Sequence, residues 1–418
     1  MEDQLIIEGG SPLYGQVQIS GAKNAGLVIM VASILADGVT VLDNIPRIRD
    51  VNVILQILND IGVETSWGED GSLSICPPSG RLKSRTSYEL AKKLRASNLF
   101  LGALLGRQKE AVISLPGGCN IGSRPMDLHI KGFQALGVEI EIEHGYIYAQ
   151  AKKPTGACIY LDFPSVGATE NIMMMAAKTP GLTVIENAAK EPEIVDLANF
   201  LNSMGAKIRG TGTDVIKIEG VPELKGCHYS IIPDRIEAGT YMVAAAISGG
   251  EIFVENVIPT HLHPIIAKLQ ETGAYVEEAA QGVRVKAGEK ILPVDIKTLP
   301  YPGFPTDMQA QMMALLSLGE GSSVIVENVF ENRFQVVDEL KRMGARIKVE
   351  GHTAVVEGVK TLYGTRVKAT DLRAGAALIL SALAARGETV IENAGYIFRG
   401  YENIDDKLSK LGAKVKKQ

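Results

Sequence analysis

SSVIVENVFENRFQVVDELKRMGARIKVEG, residues 322–351, contains both halves of the pattern that decides the fold. It opens on a β-branched strand closing in Asn328. An amphipathic run, VVDELKRMGA (336–345), follows and stops at Gly344. Glycine suits the position just past a helix because it takes positive φ without a steric cost. A second strand, RIKVEG, starts directly afterwards. The first half recurs as VTVLDN to Asn44, LTVIEN to Asn187, EIFVEN to Asn256 and ETVIEN to Asn393, with a weaker copy, AVISLP, near Ser114. The second half recurs at Gly62, Gly137, Gly205, Gly273, Gly344 and Gly412, spaced 75, 68, 68, 71 and 68 residues apart. Six units of about 70 residues therefore account for the 418-residue chain.

Each unit also holds a helix of a different kind, apolar on nearly every face. These are AGLVIMVASILA (25–36), SNLFLGALLG (97–106), NIMMMAAK (171–178), GTYMVAAAI (239–247), MQAQMMALLSL (308–318) and AGAALILSALAA (374–385). Such a helix must be buried, and a unit this small cannot bury it alone. Packing units around shared buried helices solves the problem, most simply as two lobes of three. The expected class is α/β.

Composition excludes several functions. The chain is 46% hydrophobic and 22% charged with net charge −5 and no basic run, which argues against a nucleic-acid surface. Cys76, Cys119, Cys158 and Cys227 are scattered, without the spacing of a zinc site or disulfide framework, and no histidine has metal spacing. The apolar runs at 27–36 and 374–385 are too short to cross a bilayer, and the acidic start is unlike a signal peptide. A cytoplasmic protein without a zinc site or a membrane span is expected.

The buried helices begin with polar and charged residues: Lys23-Asn24, Arg95-Ala96-Ser97, Ser165 to Thr169, Asp234-Arg235, Thr306-Asp307 and Thr370 to Arg373. Capping explains the Ser, Thr, Asp and Asn members, but not the cations, which stand at the wrong end of the helix dipole. A bound anion would reverse that cost, so substrates carrying phosphate or carboxylate are expected. LPGGCNIGSRPMDLHI (115–130) adds one thiol, Cys119, in a glycine-rich loop five residues before Arg124. That thiol is either a reactive group with a lowered pKa or a small buried hydrophobe. Asp307 and Asp371 suit helix caps, Arg95 and Arg235 suit ion pairs, and Glu191 and Glu193 suit a helix start. The Met173–Met175 run suits core packing, and His129 a structural role.

These motifs together resemble the UDP-N-acetylglucosamine 1-carboxyvinyltransferases, the peptidoglycan enolpyruvyl transferase family. The resemblance runs over the whole chain. It rests on GAKNAGL (21–27), LRASNLFLGALL (94–105), the 115–130 stretch, SVGATENIM (165–173), NAAKEPEIVDLANFL (187–201), PDRIEAGTYM (233–242), YPGFPTDMQAQ (301–311), FENRF (330–334), TDLRAGAAL (370–378) and RGYENI (399–404). It implies two lobes in an inside-out α/β barrel, six βαβαββ repeats in two pseudo-threefold groups. Lobe one would be 24–231, and lobe two 1–23 with 232–418.

The implied reaction moves the enolpyruvyl group of phosphoenolpyruvate to the 3-hydroxyl of UDP-N-acetylglucosamine, releasing phosphate. It proceeds by addition and elimination, without cofactor, in a monomer, as the first committed step of the peptidoglycan synthesis on which cell shape and division depend. Lys23, Arg124 and Arg399 match the phosphate clamp, and Arg333 and Arg373 the carboxylate partners. Asp307 matches the acceptor of the sugar hydroxyl proton. Cys119 matches the proton donor alkylated by fosfomycin, and Asp371 a second proton shuttle. Asn24, Arg95, Arg124, Pro125, Met126, Asp127, Leu128, Ser165, Val166, Gly167 and Val329 match nucleotide-sugar contacts. Before Arg399-Gly400-Tyr401 the family usually carries His-Leu/Ile-Asp, whereas this chain has Tyr396-Ile397-Phe398. Altered closure or phosphate release is expected from that change. The sister enzyme acting on shikimate 3-phosphate is disfavoured by Cys119 and SVGATEN. A catalytically weak or regulatory paralogue that binds UDP-N-acetylglucosamine is the other alternative.

Overall fold

The sheets are small and all built to one plan. In the computed structural model, which describes residues 3–115, 121–122 and 125–418, the strand Ile296–Lys297 leads through the buried helix Gln309–Leu316 to the parallel strand Ser322–Val326. The surface helix Val336–Arg342 then leads to the hairpin Arg346–Glu350 and Thr353–Glu357. The sheet order is first, second, fourth, third strand, so each unit reads βαβαββ. Five sheets among the described residues have four strands in this order. The sixth, around Glu110–Ser114, has three, and its first-strand place is reduced to a parallel bridge between Arg85 and Val112. All six are open sheets, and none of them closes into a barrel ladder.

The repeated residues have physical reasons. Gly62, Gly137, Gly205, Gly273, Gly344 and Gly412 all have φ between +86° and +106°, the left-handed geometry that ends a helix and turns the chain back into a strand. Asn44, Asn187, Asn256 and Asn393 are also left-handed, which asparagine tolerates better than most residues. The side-chain amides of Asn44, Asn187, Asn256 and Asn328 donate to the carbonyls of Ile231, Leu161, Ile19 and Thr298 at 2.7–3.0 Å. In each case the acceptor lies one residue past the parallel partner strand. Asn44, Asn187 and Asn256 thus both turn the chain and tie the end of the neighbouring strand.

Contacts divide the chain into two compact units. The terminal unit comprises 3–20, 121–122 and 233–418; the middle unit comprises 21–115 and 125–232. The resemblance had placed these boundaries at 23/24 and 231/232, with Lys23 in the lobe of the termini and the whole 115–130 loop in the other. Lys23 instead belongs to the middle unit: Ala22 N–H donates to the Ile232 carbonyl at 2.7 Å, and at Gly21 a Cβ would collide with the Asn44 carbonyl. Ile121 joins the terminal unit, where its carbonyl accepts Asn332 N–H at 3.0 Å.

Each unit has its own apolar core. In the terminal unit the helices Arg235–Ser248, Gln309–Leu316 and Leu372–Ala384 pack on one another, and every residue from Ile236 to Ile247 is buried. A fully buried Leu or Ile contributes about 2 kcal/mol, so these helices dominate the stability of their unit. No helix among the described residues is long and apolar enough to cross a membrane.

Strands distant in sequence complete the plan. Leu5–Glu8 lies antiparallel between Glu388–Glu392 and Lys414–Lys417. Tyr14–Gln18 supplies the parallel first strand beside Glu251–Glu255, and His228–Ser230 does the same for Thr40–Asp43.

A Gly205→Ala substitution tests the conformational argument, because a methyl there meets nothing within 4 Å and only φ is at issue. Urea unfolding should show a loss of about 1–2 kcal/mol; an unchanged midpoint would remove the helix-stop role.

Candidate active site

Asp307 opens the chemistry of the terminal unit. It lies in the 3-10 turn Thr306–Met308 just before the buried helix Gln309–Leu316, and its side chain caps nothing. Its Oδ1 accepts from Arg333 Nη2 at 2.6 Å, and its Oδ2 from Arg373 Nη2 at 2.9 Å and Nε at 3.2 Å. The guanidiniums are 3% and 5% exposed and the carboxylate is 27% exposed, so the acid stands in front of two buried cations. Burial alone would raise its pKa. The charges of Arg373 and Arg333 and their hydrogen bonds outweigh burial and hold the carboxyl well below the usual carboxylate range.

The arginines are fixed from behind. Arg373 Nη1 donates to Tyr401 Oη at 3.2 Å, and Tyr401 Oη shares a 2.9 Å hydrogen bond with Thr240 Oγ1. Gln311 Nε2 donates to the Asp307 carbonyl at 2.8 Å and to Thr240 Oγ1 at 3.3 Å. Asp371 caps the Leu372–Ala384 helix, its Oδ1 accepting from Arg373 and Ala374 N–H at 2.8 and 3.1 Å. The cap accounts for this aspartate and positions Arg373.

Glu327, which sequence reasoning passed over, is 1% exposed. It accepts from Thr298 Oγ1 (2.8 Å), Thr306 Oγ1 (2.9 Å), Val329 N–H (2.8 Å) and Phe330 N–H (3.1 Å). It therefore joins the turn before Asp307 to the loop before Arg333. Arg399, half-buried, ends the 3-10 segment Ala394–Arg399. Within that segment Ile397 is fully buried, Phe398 is 9% exposed, and Lys417 Nζ lies 4.1 Å from the centroid of the Phe398 ring.

The middle unit carries a second group. Lys23 begins the helix Lys23–Ala32, and its ammonium lies 2.8 Å from Asp50 Oδ2, a side chain 3% exposed. Asn24 beside it is exposed. Ser165 caps the helix Val166–Ala176 through Ala168 N–H at 3.3 Å. Gly167 lies against the ring of His129, in the first turn of the helix Asp127–Ala135. Met126 is buried, Leu128 half-buried, and Pro125 and Asp127 exposed. Arg95 opens the 3-10 segment Arg95–Leu99. Cys119 and Arg124 lie outside the described residues. Arg235 stands over the Tyr301 ring at 5.6 Å.

Asn171 organises this second group. Its Oδ1 accepts Gly102 N–H at 2.8 Å, and its Nδ2 donates to the Asn98 carbonyl at 3.3 Å and meets His129 Nδ1 at 3.0 Å. His129 Nδ1 is thus the acceptor, and the ring is neutral with its proton on Nε2. Burial, then the charge of Arg95, lowers the imidazole pKa to about 3. Gly102 permits the close packing, since a Cβ there would stand 2.3 Å from the Asn171 carbonyl. The signal that could have found Asn171 was present: an amide heading the apolar run NIMMMAA (171–177).

The comparisons with known proteins agree over the whole length. The model for EPSP synthase (3-phosphoshikimate 1-carboxyvinyltransferase) matches residues 7–408. A UDP-N-acetylglucosamine 1-carboxyvinyltransferase 1 from Caldanaerobacter subterraneus subsp. tengcongensis is 56% identical over 415 residues, covering 99% of both chains. The chain belongs to the UDP-N-acetylglucosamine 1-carboxyvinyltransferase family. A second member, from Halothermothrix orenii, is 54% identical over 414 residues, again 99% of both chains. Among solved structures, the enolpyruvyl transferase NikO from Streptomyces tendae superposes with TM-score 0.89 at 26% identity, covering 100% of this chain and 99% of that one. EPSP synthase from Acinetobacter baumannii, at TM-score 0.76 and 19% identity over 100% of both chains, shares the fold. The family membership makes the chain a transferase, and the six-unit, two-unit-core architecture is that of enolpyruvyl transferases.

The neutral His129 has a pH consequence. Its folded pKa lies below its unfolded value near 6.5, so the stability it permits is complete above pH 6.5 and is lost as pH falls toward 3. Between pH 7.5 and 5 the wild type should lose about 2 kcal/mol more than His129→Gln in urea unfolding. Parallel pH curves would show that the buried imidazole carries no such penalty.

Proposed function

We propose that this chain transfers the enolpyruvyl group of phosphoenolpyruvate to the 3-hydroxyl of UDP-N-acetylglucosamine, releasing phosphate. The observation that carries the reading is Asp307 held against two buried arginines, in a chain more than half identical, end to end, to transferases of that name. The arginines show by their hold on Asp307 that they suit a carboxylate, and planar guanidinium pairs it with a geometry lysine cannot offer. Arg333 and Arg373 take the carboxylate of the donor. Lys23, Arg124 and Arg399 take its phosphate, and Asp50 orients Lys23.

In the addition step Asp307 accepts the proton of the sugar 3-hydroxyl while its oxygen bonds to C2 of the donor. The C2–C3 π electrons take a proton at C3 from Cys119, giving a tetrahedral ketal. In the elimination step C3 returns a proton to the Cys119 thiolate, the double bond returns and the C2–O bond to phosphate breaks. The starts of the Asp127 and Val166 helices, with Arg95 and Asn24, hold the nucleotide sugar, and Val329 contacts it from the Glu327-fixed loop. The protein works in the cytoplasm, in peptidoglycan synthesis, and Cys119 is the residue fosfomycin alkylates.

Phosphate release from phosphoenolpyruvate should require UDP-N-acetylglucosamine, fail with shikimate 3-phosphate and stop after fosfomycin. Cys119→Ser should slow it roughly 100-fold or more, and Cys119→Asp should stay active but resist fosfomycin. Tight sugar-nucleotide binding with no phosphate release would instead support a regulatory paralogue.

The Tyr396-Ile397-Phe398 run bears on rate. An aspartate at 398 would meet Lys417, which now stands over the Phe398 ring. Tyr396→His combined with Phe398→Asp should change turnover, or the compaction seen by small-angle scattering on adding the nucleotide sugar. Identical values in both would make the departure neutral.

A further inference from the structure

Asp307 has both carboxylate oxygens engaged by cations, Oδ1 by Arg333 and Oδ2 twice by Arg373. A carboxylate so held is a weak base, because a proton on either oxygen forfeits a charge-assisted hydrogen bond. The site therefore appoints a proton acceptor and holds it in a geometry that disables it.

One side of the seat, Arg373, has anchors besides Asp307. Arg373 is anchored by Tyr401 Oη and its backbone N–H by the Asp371 cap. Arg333 is 4% exposed, its guanidinium carbon lies 5.4 Å from the centroid of the Phe330 ring, and its Nε is buried with no hydrogen-bond partner. Two buried guanidiniums with a donor to spare form a carboxylate receptor that is already built. Asp307, the most exposed of the three, occupies its mouth. A second carboxylate entering the receptor meets a like charge, and the two anions cannot both keep these bonds.

We infer that Asp307 is a stand-in for the donor's carboxylate: in the free protein it fills the arginine seat, and the incoming carboxylate of phosphoenolpyruvate displaces it. Displacement hands the arginines to the substrate and returns Asp307 to solvent-facing basicity at the moment a hydroxyl needs deprotonation. Arrival of the donor arms the base, and the free protein holds it unarmed. This rests on the reading that Arg333 and Arg373 receive the donor carboxylate.

The test is a binding measurement in the presence of UDP-N-acetylglucosamine. Asp307→Asn should bind phosphoenolpyruvate about tenfold or more tightly, because the seat no longer has a competitor, while phosphate release collapses. Inorganic phosphate, which lacks a carboxylate, should bind the variant and the wild type alike. Equal or weaker phosphoenolpyruvate binding by a folded Asp307→Asn protein would overturn the inference, as would an equal gain for inorganic phosphate, which would reduce the effect to net charge. A second measurement needs no variant to fold well. In wild-type protein carrying carbon-13 at aspartate Cγ, the Asp307 resonance should titrate at higher pH once phosphoenolpyruvate is bound. A resonance that keeps its titration would equally overturn the inference. Failure of the wild type to bind phosphoenolpyruvate at all would count against the transferase reading itself, and is a separate result.

Discussion

Six helices that are apolar on every face cannot lie beside water, and the chain is arranged to cover them. Each sheet offers one apolar face and each amphipathic helix one apolar stripe, so a single unit covers its buried helix only in part. Three units sharing their buried helices cover it fully. The same constraint makes the function: since the flanks of the buried helices are sealed, their polar starts are the places where charged side chains can gather. Lys23, Ser165, Asp307 and Arg373 all stand at or beside such starts.

Inside the apolar helices some of the retained polar groups fix a functional neighbour. Asn171 sets the tautomer of His129 and the approach of the Gly102 helix. Gln311 and Thr240 meet Tyr401, which in turn holds Arg373. A buried amide left unpaired costs roughly 1–3 kcal/mol, so these groups tolerate few alternative packings. The site's precision is carried by hydrogen bonds that run through the core beneath it.

Periodicity made much of this legible. The six stop glycines, the six apolar helices and the cation-bearing helix starts were all readable as one-dimensional patterns, because backbone geometry at a helix end and burial on every face leave direct marks on residue type. The site residues came with the family's motifs, and the structure brings Asp307, Arg333 and Arg373 into one cluster. What was not readable depends on contacts between distant segments. Capping was the plain expectation for both aspartates; Asp371 does cap, whereas Asp307 turns instead to arginines 26 and 66 residues away. Glu327 closes a strand that reads like five others, and nothing local marks it as the tie between two site loops. The membership of Lys23 in the middle unit was likewise hidden, since it follows from a pairing between Ala22 and Ile232.

The strand Leu5–Glu8, wedged between Glu388–Glu392 and Lys414–Lys417, imposes an order of assembly. The ribosome makes that strand long before either of its two neighbours. The middle unit, nearly continuous in sequence, has all its pieces once residue 232 has emerged, whereas this sheet must wait for Lys414–Lys417. Contacts this far apart are slow to form, and domains generally fold as units during synthesis. Until then Leu5–Glu8 lacks its sheet partners, and the charged Asp3 and Glu8 flanking Leu5-Ile6-Ile7 are the kind of residues that keep such a segment from pairing with the wrong partner.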